Sequence, residues 1–497
     1  MLLLGIDLGT SSIKVSVVDG ATQRTIASAQ HPETEAGILS EQPGWAEQSP
    51  DQWWQDVKAA IEKVNRSGKF DPAAIGAIGI AYQMHGLVLL DKEGKILRNS
   101  IIWCDSRAVP YGEAAFQNIG EEKCLQCLLN SPGNFTAAKL AWVKKNEPQL
   151  FDRIDKIMLP GDFIAQRFTG TLTTTPSALS EGIFWDFQTN DLSKEVLQYF
   201  GYRRDIIPLV LDVFSEHGRL QASVAAELGL PAGIPITYKA GDQPNNALSL
   251  NVLKPGEVAA TAGTSGVIYG VSDQLTYDPE SRINSFAHVN HTTRETHVGV
   301  LLCINGTGIL NKWIRNATGA VASYKQMDQE AASIPDGSEG LFILPFGNGA
   351  ERMLNNQLIG AHIHNVDLNK HTTAHLYRAA QEGIAFAFRY GLDIMRQNGM
   401  QPQVIRAGRA NMFLSPVFAE AFVNATGVPV ELYESDGSVG AALGAGIGVG
   451  FFPNPEAAFH HSTVLHVIRP IKAPLYDELY GQWKQYLQRQ LGVQQSR

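Results

Sequence analysis

Cysteine is scarce in this chain, with thiols only at 104, 124, 127 and 303 of 497 residues. That scarcity excludes a disulfide framework and fits a reducing compartment. Cys124 and Cys127 have the spacing of a redox or metal pair, yet no second pair and no histidines at finger spacing follow them, so ordinary thiols are expected. Long runs of Lys and Arg are also missing, and the net charge is −9. Phosphate backbones and anionic membranes require concentrated positive charge, so a dedicated nucleic-acid or membrane-surface binder is excluded. The apolar run at the N-terminus stops at Gly5 and has no basic region before it, far short of a signal or membrane helix. Cytoplasmic residence is the expectation.

What is present is hydrophobic material in quantity, 44% of the residues, in a chain long enough for two large cores. Residues 2–19, "LLLGIDLGTSSIKVSVVD", read as two alternating strands joined by a glycine turn, and "QRTIASAQ" extends them to a meander. "DQWWQDVKAAIEKV" places Trp54, Val57, Ile61 and Val64 at helical spacing behind the start signal Ser49-Pro50. An inner strand at 74–83, a helix at 134–146, then a strand, a turn at Pro160-Gly161 and another helix give the alternation of an α/β protein. In the second half a helical pattern spans 373–396, a strand lies at "VIRAGRANM", and "GSVGAALGAGIGVG" reads as a helix packed through small residues. The tail "YDELYGQWKQYLQRQ" reads as a surface helix.

The opening pattern recurs. "GEVAATAGTSGVIYGVS" has an apolar stretch, Gly263-Thr264-Ser265-Gly266, then alternating Val267, Tyr269 and Val271. Two strand-turn-strand units half a chain apart suggest duplicated folds, with domains at 1–248 and 249–497.

Such turns of Gly, Thr and Ser aim several N–H and O–H groups at one anion, so Thr10, Ser11, Ser12, Gly263, Thr264 and Ser265 are candidate phosphate contacts. Asp7 stands just before the first turn; beside phosphate a carboxylate requires a cation between them, and Mg²⁺ would serve. A turn-capping Asp is the bland alternative. Gly241-Asp242-Gln243 lies where a strand gives way to a helix, and there Asp242 could accept the proton of an attacking alcohol or simply cap the helix. Gln83-Met84-His85-Gly86 and Trp103-Cys104-Asp105 bring donors and acceptors to an apolar wall, the mixture a polyol or sugar requires. Gly408 and Asn411, in "AGRANMF", allow close approach of a flat base or ribose, although helix packing would explain the glycines nearby.

Asp7-Leu8-Gly9-Thr10-Ser11, Gln83-Met84-His85-Gly86, Gly241-Asp242-Gln243, Gly263-Thr264-Ser265-Gly266 and Glu382-Gly383 occur in an order that resembles the FGGY carbohydrate kinases, with Gln-Met-His-Gly most like those acting on xylulose. "WAEQSPDQWW" and "KLAWVKKNEP" look like landmarks of the same family, so the resemblance covers nearly the whole chain. It implies two duplicated ribonuclease-H-like domains of the actin and hexokinase type, an ATP cleft between them, and closure on sugar. It further implies Asp242 as catalytic base, Asp7 as the Mg²⁺ residue, sugar contacts from Met84, His85, Asp242 and Gln243, and ATP contacts from Thr10, Ser11, Ser12, Gly263, Thr264, Gly408 and Asn411, beside the candidates Gln83, Trp103, Asp105 and Ser265 read from the residues themselves. Partners would be a small sugar and ATP; a homodimer is left open.

The chain departs from the family pattern at several points. Ala407-Gly408-Arg409 stands where three glycines are common, and Asp242-Gln243 replaces Asp-Asn, as in glycerol-kinase-like members. Gly349-Ala350-Glu351-Arg352-Met353 only loosely matches Gly-Glu-Arg-Thr-Pro, and Cys104 replaces an Asn. These leave kinase chemistry intact, and the expectation is ATP-dependent transfer to a primary hydroxyl of a ketopentose, the 5-hydroxyl of D-xylulose first, with ribulose, fuculose, gluconate and glycerol as alternative acceptors. An actin-like ATPase would share the turns but has no use for His85 or Asp242 in a sugar pocket.

Overall fold

The computed structural model describes residues 1–319 and 323–495. Its first sheet has the order β5-β4-β1-β2-β3, where β1 is Leu2–Leu8, β2 Ile13–Asp19, β3 Thr25–His31, β4 Ile75–Tyr82 and β5 Ile236–Gly241. The first three strands form the antiparallel meander, and β4 and β5 add in parallel. The second sheet repeats the plan in the order β8-β9-β7-β6-β10-β11-β12, with β6 Glu257–Ala262, β7 Gly266–Ser272, β8 Asn284–Ala287, β9 Val298–Ile304, β10 Val404–Gly408, β11 Val430–Tyr433 and β12 His466–Ile468. Here β6, β7 and β9 are the meander and β10 and β11 the parallel strands, so the two Gly-Thr-Ser turns occupy equivalent places.

Alternation along β1 decides what covers it. Leu4, Ile6 and Leu8 share a core with Trp54, Val57 and Ile61 of α1 (Pro50–Arg66), whose N-cap Ser49 accepts from the Gln52 amide. Leu3, Gly5 and Asp7 point to the other face.

The connections between β4 and β5 include α2 (Thr136–Asn146), α3 (Pro160–Thr169) and α4 (Pro176–Glu181). Pro160 and Gly161 form no separate turn: Leu159 is the N-cap and Pro160 the first helical residue, a position where its missing N–H costs nothing. α5 (Asp242–Ser249) starts directly from β5 with Gly241 as N-cap, which puts Asp242 in the first turn.

In the second half α6 (Gly308–Ala317) follows β9, and α7 (Thr373–Gln397) buries Tyr377, Ile384, Phe388, Leu392 and Met395. α8 (Gly437–Gly448) is the small-residue helix, but it packs on the first sheet. A Cβ on Gly5 would lie 1.8 Å from the Ser438 carbonyl, and one on Gly79 2.0 Å from that of Ala441. Backbone therefore rests on backbone, and the start of α8 is carried to the end of β1. α9 (Ala473–Gln495) differs from the surface helix expected: Tyr476, Tyr480, Trp483 and Leu487 are buried, and Trp483 Nε1 donates to the Ile343 carbonyl at 2.9 Å. The apolar stripe at steps of four, three and four residues outweighs the polar residues between. Among the described residues no helix is long and apolar enough to cross a membrane.

Candidate active site

The first turn closes through the Gly9 amide, which donates to the Ser12 carbonyl at 3.1 Å. Its Thr10 hydroxyl donates to Gln83 Oε1 at 3.2 Å and accepts from Trp103 Nε1 at 2.9 Å. Gln48 completes the cluster, accepting from Gln83 Nε2 at 3.0 Å and donating to the Thr10 carbonyl at 2.8 Å. The expected phosphate turn and the expected sugar wall are thus one hydrogen-bonded unit. Ser11 is exposed, whereas the Ser12 hydroxyl accepts from Gln30 Nε2 at 2.9 Å.

Asp7 and Asp242 stand in one desolvated cleft. Burial, then the charge of Asp436, pushes the Asp7 carboxyl up to about 6, against the pull of Lys14. Burial, then the charge of Asp7, pushes Asp242 up to about 7, while hydrogen bonds from Gln243 oppose it. Lys14 gives little direct relief, because it is ion-paired with Asp436. The charge of Asp7 thus adds to burial in raising Asp242, the electrostatics a cation between the two carboxyls would relieve.

His85 has a positive φ of 63°, a strained backbone for a non-glycine. The Glu181 carboxyl accepts from the His85 amide at 3.2 Å, and Nδ1 lies 3.0 Å from the Glu181 carbonyl. A carbonyl only accepts, so Nδ1 carries the proton and Nε2 presents a lone pair. Burial, then the charge of Lys139, holds the imidazole down at about 3, so it is neutral. Lys139, fully buried, donates to the His85 carbonyl at 2.8 Å, and burial brings its ammonium down to about 7. Glu181 and Lys139 were not legible as site residues; "PSALSE" and "AAKLAW" carry no motif that marks them.

The other expected sugar contacts divide. Trp103 is 53% exposed and Gln243 partly so. Gln83, Met84 and Asp105 have buried side chains. Met84 packs beneath Gly241, where a Cβ would meet its Cγ at 2.6 Å. Asp105 accepts from the Ala46 amide at 2.6 Å and pairs with Arg107 at 2.7 Å. These three side chains are therefore turned away from solvent, Gln83 toward Thr10 and Gln48, Met84 toward Gly241 and Asp105 toward Arg107.

Across the cleft, a cavity of about 430 Å³ is lined by Gly263, Thr264, Gly308, Asn311, Lys312 and Asn411. The Gly308 amide donates to the Gly263 carbonyl at 2.9 Å and the Ile309 amide to that of Thr264 at 3.1 Å, so the start of α6 buttresses the second turn. Asn311 Oδ1 is buried without a partner. Ser265 is exposed beside the cavity, and Gly408 stands at the end of β10, 3.4 Å (as a Cβ would be) from Ser435 Cβ. Gly308, Asn311 and Lys312 were missed in the sequence; the signal was "NGTGILNKW", a glycine turn opening a helix after an apolar strand.

Sequence comparison agrees with this duplicated plan: the N-terminal domain of the FGGY family of carbohydrate kinases matches residues 2–249 and its C-terminal domain residues 258–449. The chain belongs to the FGGY family of carbohydrate kinases. It is 30% identical over 463 residues to the xylulose kinase of Escherichia coli, covering 92% of this chain and 91% of that one. It is 28% identical over 468 residues to the xylulose kinase of Bacillus subtilis, covering 91% and 89%. The crystal structure of xylulose kinase from Rhodospirillum rubrum superposes with a TM-score of 0.89 at 26% identity, covering both chains fully. The protein is accordingly an ATP-dependent sugar kinase with the two-domain FGGY fold.

One family motif lies away from the cleft. The Glu382 carboxyl accepts from the Gly337 amide at 2.9 Å, the Ser338 hydroxyl at 3.0 Å and Arg378 Nε at 2.8 Å. A Cβ on Gly383 would stand 2.2 Å from the Ile343 carbonyl. Glu382-Gly383 in this FGGY kinase seats α7 against the neighbouring loop and strand.

Proposed function

We propose that this FGGY kinase transfers the γ-phosphoryl group of ATP to the primary 5-hydroxyl of D-xylulose, using Mg²⁺, in the cytoplasm. The observation that carries the reading is Asp242: a carboxyl at the start of α5, pushed up to about 7, in the same cleft as the neutral His85 imidazole. A base poised near neutrality matches the proton of an alcohol that becomes acidic as it attacks. The relatives named as xylulose kinases support this acceptor.

Each residue has a part in the reading. Asp242 orients the hydroxyl and takes its proton late in the transfer. His85 Nε2 accepts from a second hydroxyl, and the Trp103 ring offers an apolar face to the carbon chain. The turns at 9–12 and 263–265 bind phosphate from opposite sides, and the cavity at Asn311 and Asn411 receives the nucleoside. The division into sugar-binding and nucleotide-binding halves falls at 248/249. Asp7 and Asp242 fit Mg²⁺, since the ion usually takes one or two carboxylates and fills its shell with phosphates and water. Bound there, it would neutralise charge on the phosphates.

A panel of D-xylulose, D-ribulose, L-fuculose, gluconate and glycerol at fixed ATP tests the assignment. Release of ADP with D-xylulose at the highest kcat/KM, with a 5-phosphate product by mass spectrometry and NMR, is the expected result. A clear preference for another acceptor overturns the sugar but not the chemistry.

A further inference from the structure

Arg352 opens a short 3₁₀ turn, 352–354, in the second half and is partly buried. It has no ion pair and no side-chain hydrogen bond among the described residues, an unusual state for a desolvated guanidinium. Its electrostatic neighbours are cleft residues: Cys303, at the end of β9, and His85, on the opposite wall. Cys303 in turn feels the charge of Asp242. An unpaired cation on the other half of the molecule is thus held within electrostatic reach of His85 and of Cys303, which itself feels the candidate base.

The residues around it fix that placement. Glu351, with no exposed surface, accepts from the Asn305 and Gly306 amides, each at 3.0 Å. Asn305 Nδ2 donates to the Ala350 carbonyl at 2.7 Å, and Asn348 Nδ2 to that of Asn305 at 3.1 Å. Gly308 and Ile309, a few residues on, donate to the second phosphate turn. The loop carrying Arg352 and the turn at Gly263-Thr264 are therefore one latched body, and any approach of that turn to the first half brings the guanidinium with it.

We propose that Arg352 clamps the phosphoryl group in flight, its guanidinium meeting the equatorial oxygens while Asp242 holds the acceptor, and that Glu351 positions it. The inference rests on the kinase reading. In the step, the bond from the γ-phosphorus to the β,γ-bridging oxygen breaks and its electron pair leaves with ADP; the bond to the sugar oxygen forms, and the hydroxyl proton passes to Asp242. Arg352 stays protonated throughout and acts by charge and by its planar fork.

Steady-state kinetics of R352A and R352K, beside wild type on its best sugar, test the proposal. R352A is expected to lower kcat about 10²–10³-fold, as removal of one oxyanion donor does, with the Kd of ADP and the KM of the sugar within about three-fold of wild type. Free guanidinium in the tens of millimolar should restore R352A at least about ten-fold, and R352K, which keeps the charge but not the fork, should fall between. E351Q should lose activity that guanidinium does not restore. A kcat of R352A within three-fold of wild type overturns the role, as does a rise in the Kd of ADP or the KM of the sugar that matches the lost kcat. If R352A does not fold by thermal melt, an R352K kcat equal to wild type overturns it instead. Wild type that forms no ADP with any sugar refutes the kinase reading, a result distinct from active wild type with an equally active variant.

Discussion

Gly437 lies against Asp7 so closely that a Cβ on it would stand 2.2 Å from the Asp7 Oδ2. The contact joins the first residue of α8, from the second half of the chain, to the carboxylate at the end of β1. Asn245 Nδ2, from α5, donates to the Gly437 carbonyl at 2.9 Å, so one glycine touches the elements that carry both cleft carboxylates.

Gly437→Ala must therefore displace either Asp7 or α8. The expected result is a kcat about 10²-fold lower, the loss that a displacement near 1 Å produces in a positioned site, with a melting temperature a few degrees lower from overpacking. Gly481→Ala is the control: a Cβ there meets nothing within 4 Å, and in a helix interior the change should stabilise slightly. Wild-type kcat in G437A would show that Asp7 has no fixed role.

Asp242→Asn should separate activity from stability. Loss of a general base lowers kcat by about 10²–10⁴-fold. The folded carboxyl keeps its proton up to about 7 while the unfolded one releases it near the ordinary value of 3.8. Between those values the folded chain binds the extra proton, so the stability contributed by this group is present below pH 4 and lost as pH rises toward 7. The neutral amide avoids that loss, and D242N should melt higher than wild type at pH 8, by on the order of 2–4 kcal/mol at ~1.4 kcal/mol per unit, with the difference shrinking toward pH 4. Equal melting curves at pH 8 would remove the desolvation argument.

The turns and the carboxylates were legible in the sequence because a strand-turn-strand repeat is local: alternation, Gly and small hydroxyls suffice to place Asp7 and Thr264. Asp242 was legible because a strand-to-helix junction exposes its first residue. Asp105 was not, because nothing in "WCDSR" says that Arg107 folds back on it; its burial depends on Ala46 and on the rings of Trp45 and Trp142, both near Arg107. Lys139, Glu181 and Arg352 were hidden for the same reason: their roles come from pairings, or a missing pairing, between distant segments. In α9 the buried stripe was present in the spacing and was outweighed by the number of Gln, Lys and Arg between.

The pH profile should follow the carboxylates and not His85. kcat/KM for ATP reports the free enzyme, where Asp7 at about 6 and Asp242 at about 7 titrate as a coupled pair. Activity should rise through that window as the pair loses protons and stay flat toward pH 8. His85, held at about 3, is already neutral. His85→Asn should keep the acid limb while raising the sugar KM, about ten-fold or more for a lost, well-placed acceptor. An acid limb that disappears in H85N would assign it to the imidazole.

Lys239 is the one charged residue of β5, a strand buried along its whole length. Its ammonium, 1% exposed, pairs with Asp162 at 2.6 Å and donates to the Thr173 carbonyl at 2.8 Å and its hydroxyl at 3.1 Å. Standing two residues before Gly241, Lys239 thereby ties β5 to α3 and to Thr173 just ahead of the turn to Asp242. Lys239→Met leaves Asp162 buried and uncompensated, which costs roughly 3–5 kcal/mol, whereas Lys239→Met with Asp162→Leu removes both charges and should recover most of it. Chemical denaturation of the three proteins checks this, and a double variant no more stable than the single one would show that the hydrogen bonds to Thr173, not the charge pair, hold the strand.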